Sequence, residues 1–278
     1  MIAATMPKTP QRAGHGGALK LHRDCGFGEV SIAAHHSAKP EKPPFPETGT
    51  APAISYLTSG VAALSACSTG RGGARNRADR ESLELTQAQI ANLKAAKGHA
   101  DKIGLPFTRM ISIHWEGAGV PLEGMVKATG RFTDLLTKML ARHGSGSAWL
   151  WSHENVPGRG HDKGGHCHLL AHVPPHLVPR LLALQRGWLR KITRQPYRAR
   201  VILSKPIGGR LGLEAGNPDL HAMNLEVAFG YVCKGAPQAV LDRFEIDRQH
   251  EPSGRVIGRR CSASQNINAK ARKTWAAP

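Results

Sequence analysis

The fold is decided by Gly165-His166-Cys167-His168-Leu169-Leu170-Ala171-His172-Val173-Pro174. This short apolar run ends at two consecutive prolines, a pattern that predicts a β-strand. Successive side chains of a strand point to opposite faces, so His166 and His168 share one face and Cys167 points to the other. The Cα atoms of two such residues lie roughly 6 to 7 Å apart, so both imidazoles can bind one divalent ion. The stretch therefore predicts a two-histidine metal site on a sheet.

A second predicted strand, residues 148–156, precedes the histidine strand and is joined to it by a segment rich in glycine. The two strands predict an antiparallel hairpin, which brings Glu154 within reach of the histidines. A carboxylate added to two imidazoles favours Mg²⁺ or Mn²⁺ and leaves coordination positions for phosphate oxygens. Glu154 is the predicted third ligand, and His153 or Asp162 replaces it if the strand has a different phase. A solvated glutamate at the end of a strand is the alternative.

A predicted helix at residues 220–234 carries the third group of interest. Tyr231 and Lys234 are three residues apart and share one side of this helix. Its other side is apolar, with Leu225, Phe229 and Val232. A tyrosine off the apolar side, one turn from a lysine, indicates a chemical role better than a core tyrosine does. Tyr197 is the rival nucleophile.

Three motifs follow one another along the chain: Phe107-Thr108 in a predicted strand, His166-x-His168 and Tyr231-x-x-Lys234. This ordered trio resembles the motifs of rolling-circle replication initiators, over about residues 100 to 240. The chain looks like a single-tyrosine Rep protein of the HUH endonuclease superfamily. The resemblance implies an α+β fold with a central antiparallel β-sheet flanked by helices. It also implies Tyr231 as nucleophile, Lys234 as its catalytic partner, and an acidic third metal ligand on the strand before the histidines.

The function implied is metal-dependent nicking and joining of single-stranded DNA through a 5′-phosphotyrosine, initiating rolling-circle replication of a plasmid or phage-like replicon. The expected partners are single-stranded DNA or an origin hairpin, a host helicase and a polymerase. A helicase is needed because the sequence contains no G-x-x-x-x-G-K-[ST] loop for nucleotide binding. A transposase or a relaxase has the same chemistry. Relaxases commonly carry three clustered histidines and an N-terminal tyrosine, a pattern that this chain lacks, so a replication initiator is favoured.

The charge balance agrees with a nucleic-acid partner. The chain of 278 residues has a formal net charge of +18 and a pI near 10.3, which indicate a polyanionic partner. The resemblance makes the first strand, and with it Arg109, a contributor to DNA contacts. The basic run that contains Arg194, Arg198 and Arg200 is placed to follow phosphates.

Composition divides the chain into three predicted regions. Residues 1–82 are rich in Pro, Gly, Ser and Ala and predict a disordered basic leader. Residues 83–245 hold the motifs and predict the catalytic domain, and residues 246–278 predict a basic C-terminal tail. No apolar run is long enough to cross a bilayer, so no membrane partner is expected. Five scattered cysteines, an odd number without a C-x-x-C pair, indicate reduced thiols in a cytoplasmic protein.

One alternative belongs to another functional class. Cys167 stands between the histidines, where initiators usually carry a branched aliphatic residue. A non-catalytic nucleic-acid-binding protein, with histidines that are structural or bind zinc, therefore remains the competing hypothesis. His114, at the end of the first strand, is either a further ligand or a surface or hydrogen-bonded histidine.

Overall fold

The computed structural model describes residues 79–158, 163–208 and 217–276. Within these residues, strands and helices are interspersed along the chain. Their bounds are β1 (Glu81–Ser82), α1 (Gln87–Lys102), β2 (Arg109–His114), α2 (Met125–Arg142), β3 (Trp149–Val156), β4 (Gly164–Ala171), α3 (Val178–Thr193), β5 (Ile202–Pro206), α4 (Pro218–Cys233), α5 (Gln238–Arg243), β6 (Val256–Ile257), β7 (Cys261–Ala263) and α6 (Ala269–Trp275).

Five of the strands form one antiparallel sheet in the order β5-β2-β4-β3-β7. The histidine strand β4 lies at its centre, hydrogen-bonded to β2 on one side and to the predicted hairpin partner β3 on the other. All eight residues of β4 are buried, as expected for a central strand covered on both faces. A separate two-stranded ribbon joins β1 to β6.

Helices α2 and α3 cover the face of the sheet that Cys167 meets. Both helices are amphipathic, with apolar residues at three- and four-residue spacing, so each buries one side against the strands. The cluster on this face includes Ile111, Ile113, Trp151, Cys167, Leu169, Phe132, Leu136, Leu181 and Trp188.

Helices α1, α4 and α5 contribute to a second core on the opposite face. Helix α1 begins with the predicted capping box, in which the Thr86 hydroxyl accepts from Gln89 N–H and the Gln89 side chain accepts from Thr86 N–H. The cluster on this face includes Ile90, Leu93, Leu150, Leu170, Leu225, Phe229, Val232, Leu241 and Ile267. The histidines of β4 point to this face, so α4 is the helix that can reach them.

The predicted α+β architecture, a central antiparallel sheet flanked by helices, is confirmed by these elements. Among the described residues, no helix is both long and apolar enough to cross a bilayer.

The region boundaries differ from those predicted. Strand β7, within the predicted tail, pairs with β3 and forms an edge of the main sheet. Arg260 is almost fully buried and donates to Ser82, Ser253, Gly254 and His153, which ties the tail to the rest of the chain. Residues 246–276 therefore belong to the folded unit. The predicted leader lies outside the described residues except for positions 79–82.

Candidate active site

The register of three strands brings the predicted metal ligands together. His166 of β4 lies opposite His114 of β2 on one side and opposite Glu154 of β3 on the other. His168 is two residues further along β4 and pairs with Ser112 of β2. Paired positions share a face of the sheet, so these side chains form one polar patch on otherwise apolar strands.

His168 is the most strongly held member of the patch. Its Nε2 lies 2.6 Å from Glu154 Oε1, and its Nδ1 lies 3.1 Å from the Ser112 hydroxyl. Because an ionised carboxylate only accepts, Nε2 carries the hydrogen of the bond to Glu154. Both side chains are buried, so this contact is shielded from solvent.

His166 is oriented by the backbone and by a neighbouring ring. Its Nδ1 lies 2.9 Å from Gly164 O, so Nδ1 donates this hydrogen bond. The ring stacks on His114, with centroids 4.2 Å apart and planes 9° from parallel. It lies 6.2 Å from the His168 ring, also nearly parallel, as expected for side chains two residues apart on one face of a strand.

Helix α4 carries the tyrosine to the histidines. Its N-terminus is capped by Asn217, whose side chain accepts from Leu220 N–H, and Pro218 occupies the first turn. The Ser152 hydroxyl of β3 donates to Val232 O at 2.7 Å and fixes the last turn against the sheet. The Tyr231 ring consequently meets His168 edge to face, with centroids 4.8 Å apart and planes at 83°.

Lys234, which follows the last residue of α4, links the tyrosine to the carboxylate. Its Nζ lies 3.2 Å from Glu154 Oε2 and 4.4 Å from the centre of the Tyr231 ring. Burial opposes ionisation of Glu154, but the bonds to His168 and Lys234 outweigh it and hold the pKa of this carboxyl well below its usual range. Burial also opposes the charge on Lys234, yet its two carboxylate partners raise the pKa of the ammonium. Lys234 is therefore a cation at neutral pH.

The tyrosine itself is not activated by this arrangement alone. Burial raises the pKa of Tyr231 above its ordinary value, and the attraction of Lys234 offsets this only in part. The phenol is thus protonated when substrate arrives.

Two residues near Tyr231 were missed by sequence reasoning. Glu251 Oε2 accepts from Lys234 Nζ at 2.9 Å, and Glu251 Oε1 accepts from Arg248 Nη2. The Arg248 guanidinium lies 5.2 Å from the centre of the Tyr231 ring. Both residues occupy an irregular segment after α5, where no periodic pattern or motif links them to a helix that ended more than ten positions earlier.

The donor types at the patch suit a divalent ion. Within the described residues, no group of three or more His, Cys, Asp or Glu side chains is already arranged as an ion-binding cluster. His168 Nε2 and Glu154 Oε1 are 2.6 Å apart, whereas two ligands of one ion, each about 2.1 Å from it, lie about 3 Å apart. A shift of a few tenths of an ångström and loss of the shared proton would thus let His168 and Glu154 ligate one ion. The His166 ring, nearly parallel to that of His168 and with its centre 6.2 Å away, would also have to turn toward the ion to join them.

Several sequence candidates lie elsewhere. Arg109 is buried on the opposite face of the sheet, where its Nη2 donates to Ser204. On β2 it points to the same side as the apolar residues that face α2 and α3. It does not join the patch, and its predicted role in DNA contact is not supported by this position. His153 also points to that face, where its Nε2 lies 2.8 Å from the Thr129 hydroxyl. Asp162 lies outside the described residues.

The rival tyrosine is separated from the histidines by the sheet. Tyr197 is half-buried against the core on the α2 and α3 face, with the Arg186 guanidinium 5.4 Å from its ring centre. Tyr231 is thus the tyrosine that the described structure brings to the patch.

The remaining predicted DNA contacts lie at one end of the sheet. Arg194, Arg198 and Arg200 are exposed in the segment between α3 and β5. This segment leads to Val201, whose carbonyl accepts from His114 N–H at 2.8 Å. Arg198 also donates to Gly117 O, in the turn that follows β2. The basic segment therefore borders the end of β2 where His114 lies.

Compared with protein-family models, curated proteins and solved structures, the chain gives no match in any of the three comparisons.

Proposed function

We propose that this protein is a metal-dependent, single-tyrosine DNA nicking and joining enzyme of the HUH endonuclease type. Its role would be to initiate rolling-circle replication on single-stranded DNA or an extruded origin hairpin. The observation that carries the proposal is the edge-to-face packing of the Tyr231 and His168 rings, with Lys234 bound to Glu154 beside them. A tyrosine, a lysine, two histidines and a carboxylate from distant parts of the chain thus converge on one patch.

The chemistry assigned to this patch is a phosphoryl transfer. A bond forms between Tyr231 Oη and the scissile phosphorus, and the bond from phosphorus to the 3′ oxygen of the preceding nucleotide breaks. The phenol loses one proton and the departing 3′ oxygen gains one, so neither water nor ATP is consumed. The product is a 5′-phosphotyrosine and a free 3′-hydroxyl, and reversal of the step rejoins the strand.

The protein groups contribute mainly through charge. Lys234 is a cation beside the phenol ring, so it stabilises negative charge on the tyrosine oxygen and on the phosphate as the bond forms. Glu154 holds Lys234 and His168 in position. A divalent ion bound by His166, His168 and Glu154 would supply polarisation of the scissile phosphate.

The basic segment at one end of the sheet is placed to bind the rest of the DNA strand. Arg194, Arg198 and Arg200 would contact phosphates beyond the scissile one. A host helicase would supply single-stranded template, and a polymerase would extend the 3′-hydroxyl.

One observation favours a second candidate function. Both ring nitrogens of His168 already have protein partners, Ser112 and Glu154, as is typical of a structural histidine. In a non-catalytic nucleic-acid-binding protein, the same contacts would serve only to stabilise the sheet, or the histidines would hold zinc.

Incubation with labelled single-stranded oligonucleotides, with and without Mn²⁺, followed by denaturing electrophoresis, separates these two functions. A metal-dependent band of protein covalently joined to DNA is expected. DNA binding without an adduct across a diverse oligonucleotide pool, together with tight stoichiometric zinc, would instead support the binding protein.

A further inference from the structure

A carboxylate occupies the space between two cations beside Tyr231. Glu251 accepts from Lys234 through one oxygen and from Arg248 through the other, and the Glu251 side chain is 45% exposed. Both cations also lie over the Tyr231 ring, at 4.4 Å and 5.2 Å from its centre. An exposed anion thus bridges the two positive groups that lie closest to the phenol.

The backbone holds this arrangement in place. Glu251 N–H donates to Lys234 O at 2.8 Å, which fixes the carboxylate next to the end of α4. The Gln238 side chain of α5 accepts from His250 N–H at 2.8 Å and donates to Arg248 O at 3.3 Å, so the segment that carries Arg248 is anchored at two points. The two cations therefore converge before any substrate is present, as a preorganised anion site requires.

Arg248 has more hydrogen-bonding capacity than Glu251 uses. Its Nη2 donates to Glu251, but its buried Nε has no hydrogen-bond partner among the described residues. An arginine presents Nε–H and Nη2–H as a fork that matches two oxygens of one phosphate. Glu251 cannot satisfy both ends of that fork, because its second oxygen is bound to Lys234.

The geometry points to a phosphodiester-binding site formed by Lys234 and Arg248, in which Glu251 takes the place of the phosphate until DNA displaces it. This inference rests on the proposed function for the identity of the anion, and it adds Arg248 as a substrate-contacting residue and Glu251 as an internal competitor. On displacement, the DNA phosphate receives both cations, and the Glu251 carboxylate, already largely at the surface, turns to solvent. Weakly binding anions therefore do not displace Glu251 from the site, whereas a bound DNA strand does.

The test measures DNA binding in the absence of divalent ions, in a Tyr231→Phe background that cannot form an adduct. Fluorescence anisotropy with a labelled oligothymidylate gives the dissociation constant at several salt concentrations. The chain supplies a matched control, the exposed pair Arg255, just before β6, and Glu81 of β1, whose charged groups are 2.8 Å apart. Glu81→Gln and Arg255→Ala make the same charge changes away from Tyr231.

Glu251→Gln is expected to tighten binding about three- to tenfold more than Glu81→Gln, because it removes a competitor as well as a negative charge. Arg248→Ala is expected to weaken binding more than Arg255→Ala and to lower the salt slope by about one. Arg248→Lys, which keeps the charge, is expected to retain that slope. In the double variant Arg248→Ala and Glu251→Gln, most of the gain from the glutamine is expected to disappear.

Equal effects of Glu251→Gln and Glu81→Gln would overturn the inference, since only general charge would then matter. Weaker binding by Glu251→Gln would also overturn it, because Glu251 would then organise the cations instead of competing with DNA. The adduct assay on the unmodified protein is independent of these measurements. If the binding pattern holds and no adduct forms, the phosphodiester site stands and the nicking function fails.

Discussion

The Tyr231 and His168 rings meet edge to face, with 4.8 Å between ring centres and 83° between planes. The two residues are more than sixty positions apart, and each belongs to an element that the sheet holds rigidly. Because burial raises the pKa of the Tyr231 phenol, its reaction depends on the charges that surround it.

Replacement of Tyr231 by phenylalanine is expected to abolish the covalent DNA adduct while leaving DNA affinity within about twofold, because phosphate contacts come from cations and not from the phenol. Denaturing electrophoresis and anisotropy check the two properties separately. Tyr197→Phe is the matched control, since Tyr197 is half-buried on the other face of the sheet. An undiminished adduct in Tyr231→Phe would show that another residue is the nucleophile.

Replacement of Glu154 by glutamine is expected to raise the Mn²⁺ concentration needed for adduct formation by about 10- to 100-fold. The amide keeps the shape of the side chain but removes the charge that binds both His168 and Lys234. A titration of adduct yield against Mn²⁺ measures the change. Glu123→Gln, on the surface before α2, removes the same charge elsewhere and is expected to leave the titration unaltered. An unchanged titration for Glu154→Gln would exclude Glu154 as a ligand.

Acid is expected to destabilise the fold through His153. Burial lowers the pKa of His153 to about 3, from an ordinary value of 6.5, and its neutral ring links Thr129 to the Arg259 carbonyl. The unfolded chain binds a proton near pH 6.5 and the folded chain does not, so this contribution to stability is complete above pH 6.5 and is lost as pH falls toward 3.

The loss amounts to about 2 to 3 kcal/mol between pH 7 and pH 4.5. Denaturant unfolding at a series of pH values measures it. His153→Gln is expected to be less stable at neutral pH but to show a shallower pH dependence, whereas the exposed His176→Gln is expected to follow the parent protein. A pH dependence unchanged by His153→Gln would contradict the assignment.

Two arginines predicted to contact DNA are expected to behave differently. Arg198 is exposed beside the end of β2, so Arg198→Ala should weaken DNA binding, reduce the salt slope by about one and leave the melting temperature nearly unchanged. Arg109 is buried, so Arg109→Ala should lower stability by about 1 to 3 kcal/mol. Thermal unfolding and anisotropy on both variants check this contrast. If only the Arg109 variant lost affinity for DNA, Arg109 and not Arg198 would be the DNA contact.

The sequence predicted those parts of the fold that depend on local patterns. Alternation around His166 and His168, the capping box at Thr86 and the apolar side of α4 each follow from a few neighbouring residues. The burial of Arg109 was not predicted, because a charged residue within a strand is buried only when a neighbouring strand supplies oxygens, here Ser204 of β5. That partner is almost a hundred positions away, and no local pattern indicates it.

The C-terminal region was misjudged for a related reason. Strands β6 and β7 are two and three residues long, too short for an alternating pattern to be recognised, and basic residues surround them. Their pairing is decided by distant partners, β1 and β3. Glu251 and Arg248 lie in the same region, so the residues that surround Tyr231 were only partly predictable.

The pairing of Glu81 with Ile257 has a consequence for the order of events during synthesis. A ribosome releases the chain from its N-terminus, so Tyr231, His166 and His168 emerge well before β6, β7 and the segment that holds Glu251. The sheet gains its β7 edge, and the tyrosine its Arg248 and Glu251 neighbours, only after these later residues have been made. Under the proposed function, a chain that has released Tyr231 but not β7 still lacks one edge strand of its sheet and the Arg248 and Glu251 side chains beside the tyrosine.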